Sequence, residues 1–240
     1  MNTRVSLYQA RYGSPEVTVP SAGSALIDQL LAHRSVRAYL PDPVSDDTLS
    51  AIVAALVATP VWTHVRQIVT VVHELGHAVV GVLCGRRFTG FVINRDMSGH
   101  TVTIGKPRGL GITLTTLAGY PMPAIVGAVM IVAALSGWAG LVLLVGIILL
   151  LPVLFHAKTW YTLLALILIV VGSTVLWWSE NGVISALIVL GIGMILLVGA
   201  WRQFAAVVFR GGRRDDPSML ASLTFVPKTL WYLVILILIA

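Results

Sequence analysis

Val69-Thr70-Val71-Val72-His73-Glu74-Leu75-Gly76-His77-Ala78-Val79-Val80-Gly81-Val82-Leu83 is the stretch from which the rest of the chain can be read. Its composition is that of an apolar helix, predicted over Gln67 to Cys84, and it carries three ionisable side chains in the order H-E-x-x-H. Positions i and i+4 share one helix face, so His73 and His77 can offer two imidazole nitrogens to a single metal ion. Zinc takes such ligands and, in catalytic sites, keeps a position open for water. Glu74 stands next to the first histidine, where a carboxylate can take a proton from that water. Gly76 removes a side chain from the same turn and lets another backbone approach. Between Val61 and Arg214 the only acids are Glu74, Asp96 and Glu180. A carboxylate and two histidines inside an apolar segment mark a functional site.

The surrounding composition points to a bilayer. Hydrophobic residues make up 57% of the 240, charged residues 11%, and the mean hydropathy is +0.91; a soluble domain carries about a quarter charged residues. The expected fold is all-α, a polytopic helical bundle of about five to seven spans with a small β-hairpin after the motif helix. Long apolar runs at about 112–135, 139–157, 160–178 and 183–201 approach the length a span needs. Leu49–Trp62 and Leu230–Ala240 are shorter, and a turn is expected at Pro60, Thr63, His64 and Arg66. Phe88–Asn94 and His100–Ile104, joined through Asp96-Met97-Ser98-Gly99, read as the hairpin. The net charge of +6 needs no nucleic acid to explain it, because the basic residues gather in loops as orientation signals do. Five Lys/Arg in 85–110, Lys158, and Arg202, Arg210, Arg213, Arg214 and Lys228 alternate with turns that have none. This places the segments 85–110, 158 and 202–228, and the metal site near them, on the cytoplasmic side of a plasma-membrane, multi-pass protein. The single cysteine, Cys84, excludes an internal disulfide and reads as packing.

Residues 1–47 are different in kind. They hold five of the ten acids and form a polar amino-terminal arm, whereas 48–240 form the membrane-embedded domain. Within the arm and just beyond it, about 25–58, the wording around His33-Arg34-Ser35-Val36-Arg37 resembles the beginning of nitroreductase-family flavoproteins. That resemblance implies a flavin-phosphate role for Arg34, Ser35 and Arg37. The body of such a fold is missing, so a flavin-dependent reductase fragment is the remote alternative and no flavin is expected.

Catalytic zinc usually has three protein ligands. Topology sets aside Glu180, on the opposite face, and His64, at the outer end of the motif helix. His156, His100, Asp96, Asp215 and Asp216 remain, and the residues themselves do not separate His156 from the aspartates. Asp215-Asp216 precedes Pro217 and could equally cap a helix there.

A second resemblance bears on the choice. The histidine motif, the basic hairpin region, Leu117-Ala118-Gly119-Tyr120-Pro121-Met122-Pro123, and the spaced residues Asp216, Leu220, Thr224, Pro227 and Trp231 together resemble the B-like branch of the site-2-protease class of membrane zinc metallopeptidases, over about 60–235. The resemblance implies zinc held by His73, His77 and Asp216, Glu74 as the catalytic base, and hydrolysis of peptide bonds in a membrane-associated protein within the lipid bilayer. The Leu-Asp-Gly tripeptide of well-studied site-2 proteases is absent. Pro217 is expected to keep Asp216 out of helical geometry and to favour an extended approach. The alternative function is a non-catalytic zinc-binding membrane scaffold, which would need the histidines but no base.

Overall fold

The computed structural model describes residues 59–94, 96, 98–179, 181–211 and 215–240, together with Asp47. These residues form eight helices and one two-stranded sheet. The motif lies on α1, Thr59–Leu83. The turn expected at Pro60–Arg66 does not form, and α1 runs through it. Pro60 lies within the described part of the helix. α1 ends in a left-handed Gly85, φ 73°. The Gly85 and Arg86 amides donate to the Val82 and Gly81 carbonyls, both at 2.9 Å, which closes the helix and turns the chain.

β1, Arg87–Ile93, and β2, Gly99–Ile104, follow as an antiparallel hairpin with Phe91 opposite Thr101 and an irregularity at Thr89. Its turn is held by Asp96, which accepts from the Ser98 amide at 3.0 Å and hydroxyl at 2.7 Å. Those two bonds hold the Asp96 carboxyl below the usual carboxylate range. Phe91 and Ile93 are buried together with Val71, Leu150, Val153 and Leu166. The outer edge of β1 is occupied as well. The Phe91 amide donates to the His156 carbonyl at 2.9 Å, and the Ile93 amide donates to the Thr162 hydroxyl at 2.8 Å. The hairpin is thereby fixed against α1 on one side and residues 156–162 on the other.

The apolar run 112–135 is broken. α2, Leu110–Leu117, and α3, Pro121–Leu135, meet at an angle of 59° across Ala118-Gly119-Tyr120. Pro121 opens α3, and proline there removes an amide from the hydrogen-bond ladder and favours a fresh helix start. α4, Ala139–Leu154, and α5, Trp160–Trp178, follow, the latter capped by the Thr159 hydroxyl. α6, Gly182–Arg210, extends nine residues past the run read from sequence, so Arg202 and Arg210 sit on a helix and not in a loop. It packs closely on α3, where a Cβ on Gly127 or Gly193 would lie within 3 Å of the other's carbonyl oxygen. α7, Asp216–Thr224, and α8, Lys228–Ile239, complete the chain.

Two of these helices, α5 and α6, are long and apolar enough to cross a membrane, and the bent α2–α3 pair makes three if it counts as one span. α4 and α8 are apolar but shorter. The span count among the described residues is therefore two or three, below the five to seven expected from sequence. The runs near 112–135 and 139–157 fall short because one is bent and the other stops at Leu154. Leu164, Leu168, Val171 and Val175 on α5 are nonetheless exposed, as a hydrocarbon-facing helix requires.

Candidate metal centre

Arg66, Thr70, His73 and His77 follow one another at i, i+4, i+7 and i+11, a single stripe on α1. His73 Nε2 and His77 Nε2 lie 3.3 Å apart. Asp216 Oδ2 is 3.1 Å from the first and 3.2 Å from the second. Two ligands each about 2.0–2.1 Å from a tetrahedral ion stand roughly 3.3–3.4 Å apart. The three atoms thus sit on one face of such a tetrahedron. Asp216 Oδ2 is buried without a hydrogen-bond partner, an arrangement with a high desolvation penalty unless a cation is shared. His, His and Asp are a donor set that suits zinc.

Neighbouring residues orient the set. His77 Nδ1–H donates to the Thr115 carbonyl on α2 at 2.7 Å. That bond leaves Nε2 as the lone-pair nitrogen and turns it toward His73. The Tyr120 ring meets His73 edge-on, with centroids 4.8 Å apart. Gly119, in the break between α2 and α3, lies directly over both imidazoles, and a Cβ there would stand 2.5–2.6 Å from the rings. Gly76 performs the reciprocal task on α1, where a Cβ would lie 2.8 Å from the Ala118 carbonyl oxygen. The break in the 112–135 run is therefore what brings a backbone against the histidine face.

Glu74 is 6% exposed. Its side chain packs against Gly99 at the start of β2, where any Cβ would clash with it, and its carbonyl accepts from the Thr101 hydroxyl at 2.9 Å. With His73 and Tyr120 it lines a cavity of about 860 Å³.

The adjacent aspartates have separate tasks. Asp215 caps α7, its carboxylate accepting from the Ser218 amide at 2.9 Å and from Lys228 Nζ at 2.8 Å. Asp216 is the first residue of α7 and Pro217 the second. The expectation of an extended Asp216 is thus corrected: the extended backbone falls one residue earlier, at Asp215, φ −79° and ψ 159°. An N-terminal turn accepts proline, so Pro217 starts the helix instead of excluding Asp216 from it. The remaining residues of the spaced pattern hold this segment in place. Leu220 is fully buried. Thr224 donates to the Leu220 carbonyl at 2.7 Å and accepts from Trp231 Nε1 at 3.1 Å, across the turn at Pro227.

The other candidates stand elsewhere. His156 Nδ1 pairs with the Pro152 carbonyl at 2.9 Å, with its ring against Phe88. His100 is exposed on β2, and Asp96 is in the hairpin turn. Cys84 is half-buried beside Gly111. Glu180, the His64 side chain, and Arg34, Ser35 and Arg37 lie outside the described residues. Sequence reading passed over Thr115 and Gly99, which orient the motif residues through backbone atoms and bear no ligand signature.

His73, His77 and Asp216 form a group that could hold a metal ion, in a largely helical chain with apolar helices long enough to cross a membrane. The family model described as peptidase M50B-like matches residues 48–240, and the chain belongs to that family. No curated protein and no solved structure matches it.

Proposed function

We propose that this chain is a zinc-dependent endopeptidase that hydrolyses peptide bonds of a membrane-associated protein. The observation that carries the reading is the convergence of His73 Nε2, His77 Nε2 and Asp216 Oδ2 at tetrahedral spacing beside a buried glutamate in an accessible cavity. These three residues would hold the ion. When bound there, zinc would polarise the scissile carbonyl and make its water a nucleophile at neutral pH. Glu74 takes the proton released as that water adds to the carbonyl carbon, and returns it to the amine as the C–N bond breaks. Tyr120, Ser98 and Gly99 line the cavity in which the peptide would lie. A non-catalytic scaffold would have no use for a carboxylate packed at the cavity against Gly99, so the enzyme is the better reading.

The proposal includes a plasma-membrane, multi-pass placement with the centre toward the cytoplasm, supported by the alternation of basic residues along the chain. Five spans would require α1 and α4 to cross besides α5, α6 and the bent α2–α3 pair, and seven would add α8 and the segment 49–62. The polar arm 1–47 would be separate from the membrane domain, consistent with a family match that begins at residue 48. The nitroreductase-like stretch 25–58 lies outside the described residues apart from Asp47 and has no part in the proposed chemistry.

Elemental analysis of the detergent-purified, metal-loaded chain is expected to give one zinc per chain. A protein that holds none under those conditions is not this enzyme. Gly119→Ala is expected to lose zinc while its far-ultraviolet circular dichroism stays that of the parent. The methyl group would enter the space of both rings and spread the ligand atoms apart. Zinc content equal to the parent's would contradict that account of the helix break.

A further inference from the structure

The cavity continues past His73 and Glu74 along the first half of α1. Its lining includes Arg66 and Trp62 of α1 and Arg202, Gln203 and Arg210 of α6. Two of these guanidinium groups are held in position. Arg66 Nη2 donates to the Asp96 carbonyl at 2.5 Å, and the Arg202 guanidinium lies 4.6 Å from the Trp62 ring centre. Arg210 is exposed in the last turn of α6. Gln203 Oε1 is buried without a hydrogen-bond partner among the described residues, and a peptide backbone could complete it. The acids that line the same cavity are Glu74, beside His73, and Asp215, paired with Lys228.

Basic residues at helix ends also serve as orientation signals, but such residues need only face lipid headgroups. These three come from two different helices and line the same cavity as His73 and Glu74. Arginine is also the side chain best suited to grip a carboxylate, through its planar pair of donors. Arg66 precedes Glu74 by eight positions, about 12 Å along a helix. An extended peptide covers about 3.3 Å per residue, so that distance is three or four residues.

We propose that the arginine-lined arm of this cavity is a specificity subsite for an acidic side chain of the substrate, three or four residues from the scissile bond. The inference rests on the proteolytic reading of the same centre and names its substrate class. Arg66, Arg202 and Arg210 form the subsite and bind the carboxylate; they do not touch the reacting atoms.

The test measures binding without turnover. The full chain carrying Glu74→Gln is placed in phosphatidylcholine nanodiscs. The probes are synthetic fluorescent peptides with an apolar span and a flanking segment in which glutamate is moved one position at a time, each with a glutamine twin. At the matching position the glutamate peptide is expected to bind about tenfold tighter than its twin, as a charge-assisted bidentate pair would give. Arg66→Gln should abolish the preference. Arg210→Glu should reverse it, so that a lysine peptide binds better than the glutamate one; this gain also shows that the variant is folded. Equal affinity of the twins at every position, no binding of either, or a preference untouched by the arginine variants would overturn the subsite. So would arginine variants that change only the retention of phosphatidylglycerol by the protein, which would assign the site to lipid. Separate assays of the parent chain keep the two readings apart. Binding of acidic peptides without cleavage would sink the peptidase and leave the subsite, and cleavage indifferent to the acidic residue would do the reverse.

Discussion

Glu74→Gln is expected to retain its zinc and to lose peptide-bond cleavage by roughly 10²–10⁴-fold, the range general-base catalysis contributes. The substitution is nearly isosteric, so the packing of the side chain against Gly99 is preserved. The Thr101 hydroxyl bonds the backbone carbonyl of residue 74 and is indifferent to the change. What the amide cannot do is accept the proton of the attacking water and pass it to the leaving amine. Burial matters here, because a carboxylate that is 6% exposed competes with little solvent for that proton. The assay is cleavage of a co-expressed membrane protein, read together with zinc content. A variant that cuts at a rate near the parent's would remove Glu74 from the role of base.

Asp216→Ala is expected to lower zinc affinity by more than the roughly 10–100-fold that follows loss of an outer-shell partner, since it removes a direct ligand. Two imidazoles held by α1 would remain, one of them still oriented by Thr115. Asp215→Ala is the control that separates the adjacent carboxylates. It removes the cap of α7 and the partner of Lys228. Loss of a cap costs about 1 kcal/mol of stability and leaves the ligand set in place. Zinc affinity measured by competition with a chelator should therefore fall steeply for the first variant and little for the second. The opposite order would exchange the roles of the two residues.

The motif helix, the hairpin and the apolar character of the chain were legible in the sequence because each is a local pattern. H-E-x-x-H puts two imidazoles on one face whatever surrounds it. Alternation around Phe91 and Thr101, with Asp96 and Gly99 at the turn, specifies a hairpin from near neighbours. Asp216 entered the candidate set by topology, on an equal footing with His156 on chemical grounds, and only the spaced pattern of the family resemblance singled it out. His156 and Asp216 are separated from His77 by 79 and 139 positions, and which one returns to the histidines depends on how distant helices pack.

Only the tertiary structure decided the rest. It divided the aspartates, giving Asp215 to the α7 cap and Lys228, and Asp216 to the histidine pair. It carried α1 through Pro60 and broke the run 112–135 at Gly119, since a proline's effect depends on whether its amide is needed where it falls. It also set Thr115, Gly119 and Gly99 around the motif. Which side chains could bind a metal and take a proton was already legible, because those properties belong to residue type and helix period. Their convergence depends on backbone approach across contacts far apart in the chain, which residue type does not encode.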